Sequence, residues 1–232
     1  MLATDVISAA RTWRPAEYGD KRAADIPDAL VEPLWTGPRV LALVANGEAS
    51  LTDAGGGPIE GREDILAELV EAVAGATVLI EGVLTPEPLQ ATSDVAARDV
   101  IPMPNAGQMA SQMIVGDRAG RKGQLEDRLQ DVRRRMADDT AVEVALVAVD
   151  LLWIDDQSIC DVPLLERKRV LESAITESRL VRIGIYVRPP IDPWIGSWRT
   201  MGFRRMSFRA ANSRYVPSAK NQGWAQAEIP RR

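Results

Sequence analysis

The chain has 232 residues, of which 46% are apolar and 26% charged, and its net charge is −5. That is the composition of a folded globular protein with a substantial core, and it excludes a disordered chain. One cysteine, Cys160, and no histidine exclude disulfide frameworks, thiolate zinc clusters, serine–histidine triads and histidine-based metal sites.

The length admits one large α/β domain or two small ones. Asp5 and Arg11 interrupt any apolar run at the amino terminus, so no signal peptide is read there. The longest apolar stretch, Val144 to Ile154, is broken by Asp150 and falls short of the ~20 residues that span a bilayer. A cytoplasmic protein with no membrane association is expected. Cys160 reads as a core or near-surface thiol, since without histidine a nucleophile would need a lysine, an arginine or a helix terminus to lower its pKa.

Residues 1–29 read as an N-terminal extension, with a short helical pattern in Val6, Ala9 and Ala10. Pro27 is expected to open a short helix over Asp28 to Val31. Lys21 and Arg22 read as solvated charge, with a phosphate-binding surface as the alternative. The main domain is placed at 30–232. Arg39 to Val44 forms a strand, Asn46-Gly47 a hairpin turn, and Glu48 to Thr52 the returning strand. Gly55-Gly56-Gly57-Pro58 lacks the lysine and hydroxyl residue of a phosphate loop and reads as a turn. Ile65, Leu66, Leu69, Val70 and Val73 share one face of a helix over Glu63 to Val73. Gly75 ends it, and Thr77 to Ile80 runs as a buried strand toward Glu81.

Residues 85–122 are proline-interrupted and carry Met103, Met109 and Met113, read as core filling or as an adaptable binding surface. From Gln124 a helix is expected, with Leu125, Leu129, Val132 and Met136 in a narrow seam that packs on its own sheet or docks a partner. Val142 to Leu152 is the clearest strand, turned by Asp155-Asp156. The next helix starts at Pro163, with Leu164, Leu171, Ala174 and Ile175 on its apolar face. Asp150 is expected to tie strand to loop by accepting backbone hydrogen bonds, and no metal ligand set is assigned. Leu180 to Val187 reads as a further strand. From Arg199 onward eight basic residues face one acid, a net +7, so the preceding residues carry −12. This segment either tracks a phosphate backbone, with Arg199, Arg204, Arg205, Arg209, Arg214 and Lys220 as contacts, or pairs with the acidic body.

Several stretches, in order, resemble the signatures of ATP-dependent DNA ligases. Glu32-Pro33-Leu34-Trp35-Thr36-Gly37-Pro38-Arg39 is similar to the first, with Leu34 where the adenylated lysine belongs and Thr36 where an aspartate belongs. Val78 to Leu84 is similar to the third, with Glu81 matching an acid and Val83 replacing another. Val147 to Asp156 is similar to the next, with Val149 in place of the aromatic that stacks on adenine. Val162 to Leu171 resembles the helix opening that follows. Ser213-Arg214-Tyr215-Val216-Pro217 and Trp224 resemble the stretch that joins the last two signatures, whose lysines read as Arg209, Gln226 and Glu228.

The resemblance spans roughly residues 30–229. It implies an α+β (α/β), ATP-grasp-like DNA ligase adenylation-domain fold, two antiparallel sheets with flanking helices. It also implies a degenerate nucleotide pocket at Leu34, Thr36, Arg39, Glu81, Val83, Val149, Arg209, Gln226 and Glu228, with no catalytic residue assigned. A ligase would continue past Trp224 to Ile229 into an oligonucleotide-binding barrel, and the sequence ends there, which counts against a working ligase. The expectation is a catalytically inactive, ligase-like binding or scaffolding module. Its partner is an unknown protein or DNA, and it needs no cofactor, ATP with magnesium entering only through a pocket that is still open. The alternatives are a nucleic-acid binder using the basic carboxyl-terminal segment, and a residual ATP-binding or ligase-type nucleotidyltransferase.

Overall fold

The computed structural model describes residues 3–86 and 143–230. The methionine-containing stretch and the helix expected from Gln124 lie outside these residues.

Among the described residues, four α-helices and eleven strands follow in order: α1 (Ala3–Thr12), β1 (Glu17–Tyr18), β2 (Ala29–Pro33), β3 (Arg39–Ala45), β4 (Glu48–Asp53), α2 (Glu63–Ala72), β5 (Val78–Thr85), β6 (Ala145–Ile154), β7 (Gln157–Ser158), α3 (Leu164–Ala174), β8 (Val181–Ile183), α4 (Asp192–Thr200), β9 (Arg205–Ala210), β10 (Lys220–Asn221) and β11 (Trp224–Glu228). The main sheet runs β4-β3-β5-β6-β7, all antiparallel, and β8 adds to β6 in parallel. A second, antiparallel sheet runs β11-β9-β2, and β1 pairs with β10 in a two-residue parallel ribbon.

Local chemistry explains the main sheet. Asn46 and Gly47 both have positive φ, 56° and 77°, the two-residue turn whose twist matches the strands it joins. β3 then returns as β4 with Ala45 opposite Glu48. β5 and most of β6 are buried on both faces, which is why they read as near-continuous apolar runs. α1 packs on β3 and β5, α2 on β4 and β8, and α3 on β6. Val6, Ala9 and Ala10 of α1 enter one cluster with Leu41, Leu79 and Leu152. A second cluster seats Trp198 of α4 and Phe203 against Met206 and Ala225 of the smaller sheet. Each fully buried large apolar side chain contributes about 1.5–3 kcal/mol.

Two expectations are corrected. Asp28 has φ 43°, and Ala29 to Pro33 pair with β9 as a strand, so no helix opens at Pro27; a short 3-10 turn lies before it at Ala23–Asp25. Cross-strand pairing overrides the local proline preference. The strand expected over Leu180 to Val187 stops at Ile183. After Gly184, whose N–H bonds Ala148, the chain leaves β6 and crosses to the smaller sheet. There Val31 and Val187 exchange hydrogen bonds of 2.8 and 2.9 Å.

Candidate functional site

The two sheets face each other across a cavity of about 180 Å³. From the smaller sheet, cross-strand register aligns Glu32, Ser207 and Gln226 in one row and Leu30, Arg209 and Trp224 in the next. Side chains two apart on a strand share a face, so both rows point the same way. From the main sheet, Arg39 lies opposite Val83 and Leu41 opposite Glu81. The loop from Leu34 to Pro38 joins the two walls. Gly37 is fixed there by a close approach: with φ 148°, a Cβ on it would lie 2.0 Å from the Leu84 carbonyl oxygen.

The structure brings most of the expected pocket residues together. Arg39, Glu81, Val83 and Val149 line the cavity on one side, and Leu34, Arg209 and Gln226 on the other. Thr36 and Glu228 are exposed and do not line it. Leu34 is only half-buried, and the cavity stays open beside it. No lysine among the described residues lines it.

Charge in and behind the cavity is organised as ion pairs. The Arg39 guanidinium donates to Glu81 Oε1 through Nε, at 3.0 Å, and through Nη2. Arg209 Nη2 donates to both Glu32 oxygens at 2.8 and 2.7 Å and to the Val149 carbonyl at 2.9 Å, while Nη1 reaches Asp150 at 3.3 Å. Its guanidinium also lies 4.9 Å from the Trp224 ring centroid, a cation–π contact strengthened by burial. Burial works against the Arg209 charge, but Glu32 and Asp150 outweigh it and raise its pKa. Behind the wall, Arg167 grips Asp150 at 2.8 and 2.9 Å, and Lys168 Nζ lies 2.6 Å from Glu32. Burial pulls the Lys168 ammonium below its ordinary pKa despite Glu32. Burial alone would raise the Asp150 carboxyl; Arg167, Arg209 and Lys168 hold it below the usual carboxylate value.

Asp150 accepts one backbone N–H, from Leu151, but its main partners are arginines, so it ties strand to helix and to the second sheet rather than strand to loop. Tyr18, Glu32 and Ser207 line the cavity without having been expected there. Arg167 and Lys168 were also missed, although the spacing carried a signal. Leu164, Arg167, Lys168 and Leu171 follow the i, i+3, i+4, i+7 pattern of a buried stripe, and all four are fully buried.

The basic carboxyl-terminal residues divide. Arg209 is 2% exposed, which removes it as a nucleic-acid contact. Arg214 pairs with Asp161 at 3.0 Å and Lys220 with Asp20 at 2.9 Å. Arg199 is half-buried, and Arg204 and Arg205 are exposed, with Arg205 donating to Gln226. Among the described residues no group of three or more metal-ligating side chains is assembled. No helix among them is long and apolar enough to cross a membrane.

No protein-family model matches the sequence, and no curated protein sequence matches it. Solved structures do match in fold. The ligase domain of LigD from M. tuberculosis superposes with a TM-score of 0.62 at 17% identity, over 94% of this chain and 60% of that one. A mycobacterial DNA ligase D complexed with ATP and MES gives 0.62 at 16% identity, over 94% and 60%. A Lig E DNA ligase gives 0.50 at 11% identity, over 93% and 68%. The chain thus spans about 60% of the length of the two ligase D structures. Its mixed α/β architecture is the nucleotidyltransferase-domain fold of ATP-dependent DNA ligases.

Proposed function

We propose that this chain is a ligase-like module that does not transfer nucleotides and serves as a binding or scaffolding subunit, in a DNA repair, replication or mobile-element setting. The observation that carries the reading is the cavity wall itself: Leu34 follows β2 where the resemblance expects the nucleophile, and no lysine among the described residues lines the space. Adenylyl transfer needs an activated lysine and cations directed at the phosphates. Both arginines of the wall are already held by carboxylates. The volume, about 180 Å³, is also below the ~300–1,000 Å³ of sites that enclose drug-sized ligands.

A protein partner is favoured over DNA because Arg209, one of the six candidate DNA contacts, is buried in ion pairs inside the chain and Arg199 is half-buried. A titration against labelled nicked duplex DNA at low and moderate salt, with ATP in a parallel set, tests the reading. No saturable ATP binding and no DNA binding at moderate salt are expected. Saturable ATP binding overturns the loss of the nucleotide site, and saturable, salt-sensitive DNA binding makes this a DNA-bound module instead.

A further inference from the structure

We infer that the cavity between the sheets is a binding site for a small zwitterion, an apolar α-amino acid whose ammonium meets Glu81 and whose carboxylate meets Arg209. The inference rests on the reading above that the cavity no longer takes a nucleotide. Its starting point is two polar atoms that the ion pairs of the walls do not engage. Arg39 donates to Glu81 Oε1 through both Nε and Nη2, while Glu81 Oε2 has no hydrogen-bond partner. The nearby Tyr215 phenol, whose pKa is raised by burial and then by Glu81, accepts from the Ala16 N–H at 2.9 Å and makes no hydrogen bond to Oε2. On the facing wall, Arg209 uses Nη1 and Nη2 for Asp150, Glu32 and the Val149 carbonyl, and its Nε is without a partner. Glu81 and Arg209 are each 2% exposed, and both line the cavity. Buried polar atoms ordinarily have a partner, and open ones on charged groups are the most costly kind.

The two open atoms are of opposite kind, an anionic acceptor from one sheet and a cationic donor from the other. A ligand that satisfies both carries a donor at one place and an acceptor at another, and a charge on each strengthens the bond. The four charged residues that line the space, Glu32, Glu81, Arg39 and Arg209, cancel in sign, so a ligand without net charge leaves the pairs already made in balance. A simple cation would satisfy Glu81 and leave Arg209 Nε open, and a simple anion would do the reverse. Leu34, Trp35, Val83 and Val149 supply the apolar wall against which a side chain lies. A space of about 180 Å³ suits one amino acid rather than a drug-sized ligand.

Three probes with one side chain separate the possibilities: leucine, leucinamide, which keeps only the positive charge, and isocaproate, which keeps only the negative one. Each is titrated into the whole protein by calorimetry, with AMP and ATP alongside. Leucine is expected to bind with a Kd below about 1 mM, at least about tenfold tighter than either of the others, the effect of one charge-assisted hydrogen bond. Glu81→Gln, which keeps the shape of the side chain and removes its charge, weakens leucine about tenfold and does not weaken isocaproate. Val83→Phe, which fills the space, abolishes leucine binding. Near-UV circular dichroism checks that both variants keep the native packing, and the comparison of probes on the unaltered protein needs no variant. If none of the three binds, the inference is overturned. Leucine binding no tighter than leucinamide or isocaproate also overturns it, as does leucine binding that Glu81→Gln or Val83→Phe leaves unchanged. AMP or ATP binding more tightly than leucine would overturn the proposed function as well, so the two failures are distinguishable.

Discussion

Arg209 and Glu32 meet diagonally across neighbouring strands of the smaller sheet, with one guanidinium nitrogen, Nη2, within 2.8 Å of both carboxylate oxygens. Around this pair Asp150, Arg167 and Lys168 complete a buried network that joins β2, β6, β9 and α3. Replacing both members of a buried pair by apolar groups is often tolerated, but removing one strands the other. Arg209→Met leaves Glu32 and Asp150 short of a partner while both are 5% exposed or less. The variant is expected to lose about 3–5 kcal/mol, measured by urea denaturation. A loss below about 1 kcal/mol would show that the network does not hold the two sheets together.

Asp150→Asn tests the other end of the network. The folded carboxyl is held below its ordinary value of 3.8, so its ion pairs stabilise the fold at pH values above the ordinary carboxylate range, and the contribution is lost as pH falls through the depressed pKa. The variant is expected to be about 3 kcal/mol less stable between pH 5 and 8. The gap should then narrow as pH drops below 3.8, where the unfolded carboxyl takes up a proton, and close as pH passes the lower value at which the native carboxyl does. A gap that persists at low pH would mean that packing, and not charge, sets the cost.

Gly37→Ala probes the loop that joins the two walls. The added Cβ would meet the Leu84 carbonyl at 2.0 Å in a backbone conformation with φ 148°, so the loop must move. A cost of about 1–3 kcal/mol is expected, with a change in the fluorescence of Trp35 two residues away. An unchanged midpoint and spectrum would show the loop to be adaptable.

Much of this architecture was legible because its determinants are local. Asn46-Gly47 specifies its own turn, the Ile65–Leu69 spacing specifies α2, and the apolar runs at β5 and β6 announce buried strands. The resemblance also identified most of the residues that meet at the cavity, from Leu34 to Gln226. What was not legible depends on residues far apart in sequence. Asp150 reads alone as a turn-side acid, and only folding brings Arg167 and Arg209 to it. The segment at Ala29 reads as helical because Pro27 is a local signal, whereas its partner strand lies about 180 residues away. Ser207 carried no signal at all, since a serine in a strand is unremarkable until the row that it completes is seen.

The proposed absence of adenylyl transfer is open to direct test. The direct measurement is to incubate the protein with α-labelled ATP and magnesium or manganese, denature it, and look for covalently bound AMP by gel and by mass spectrometry. No adduct is expected under either metal, with the protein mass unchanged. AMP on any lysine, above all Lys168 behind Glu32, would contradict the account and identify a nucleophile outside the expected position.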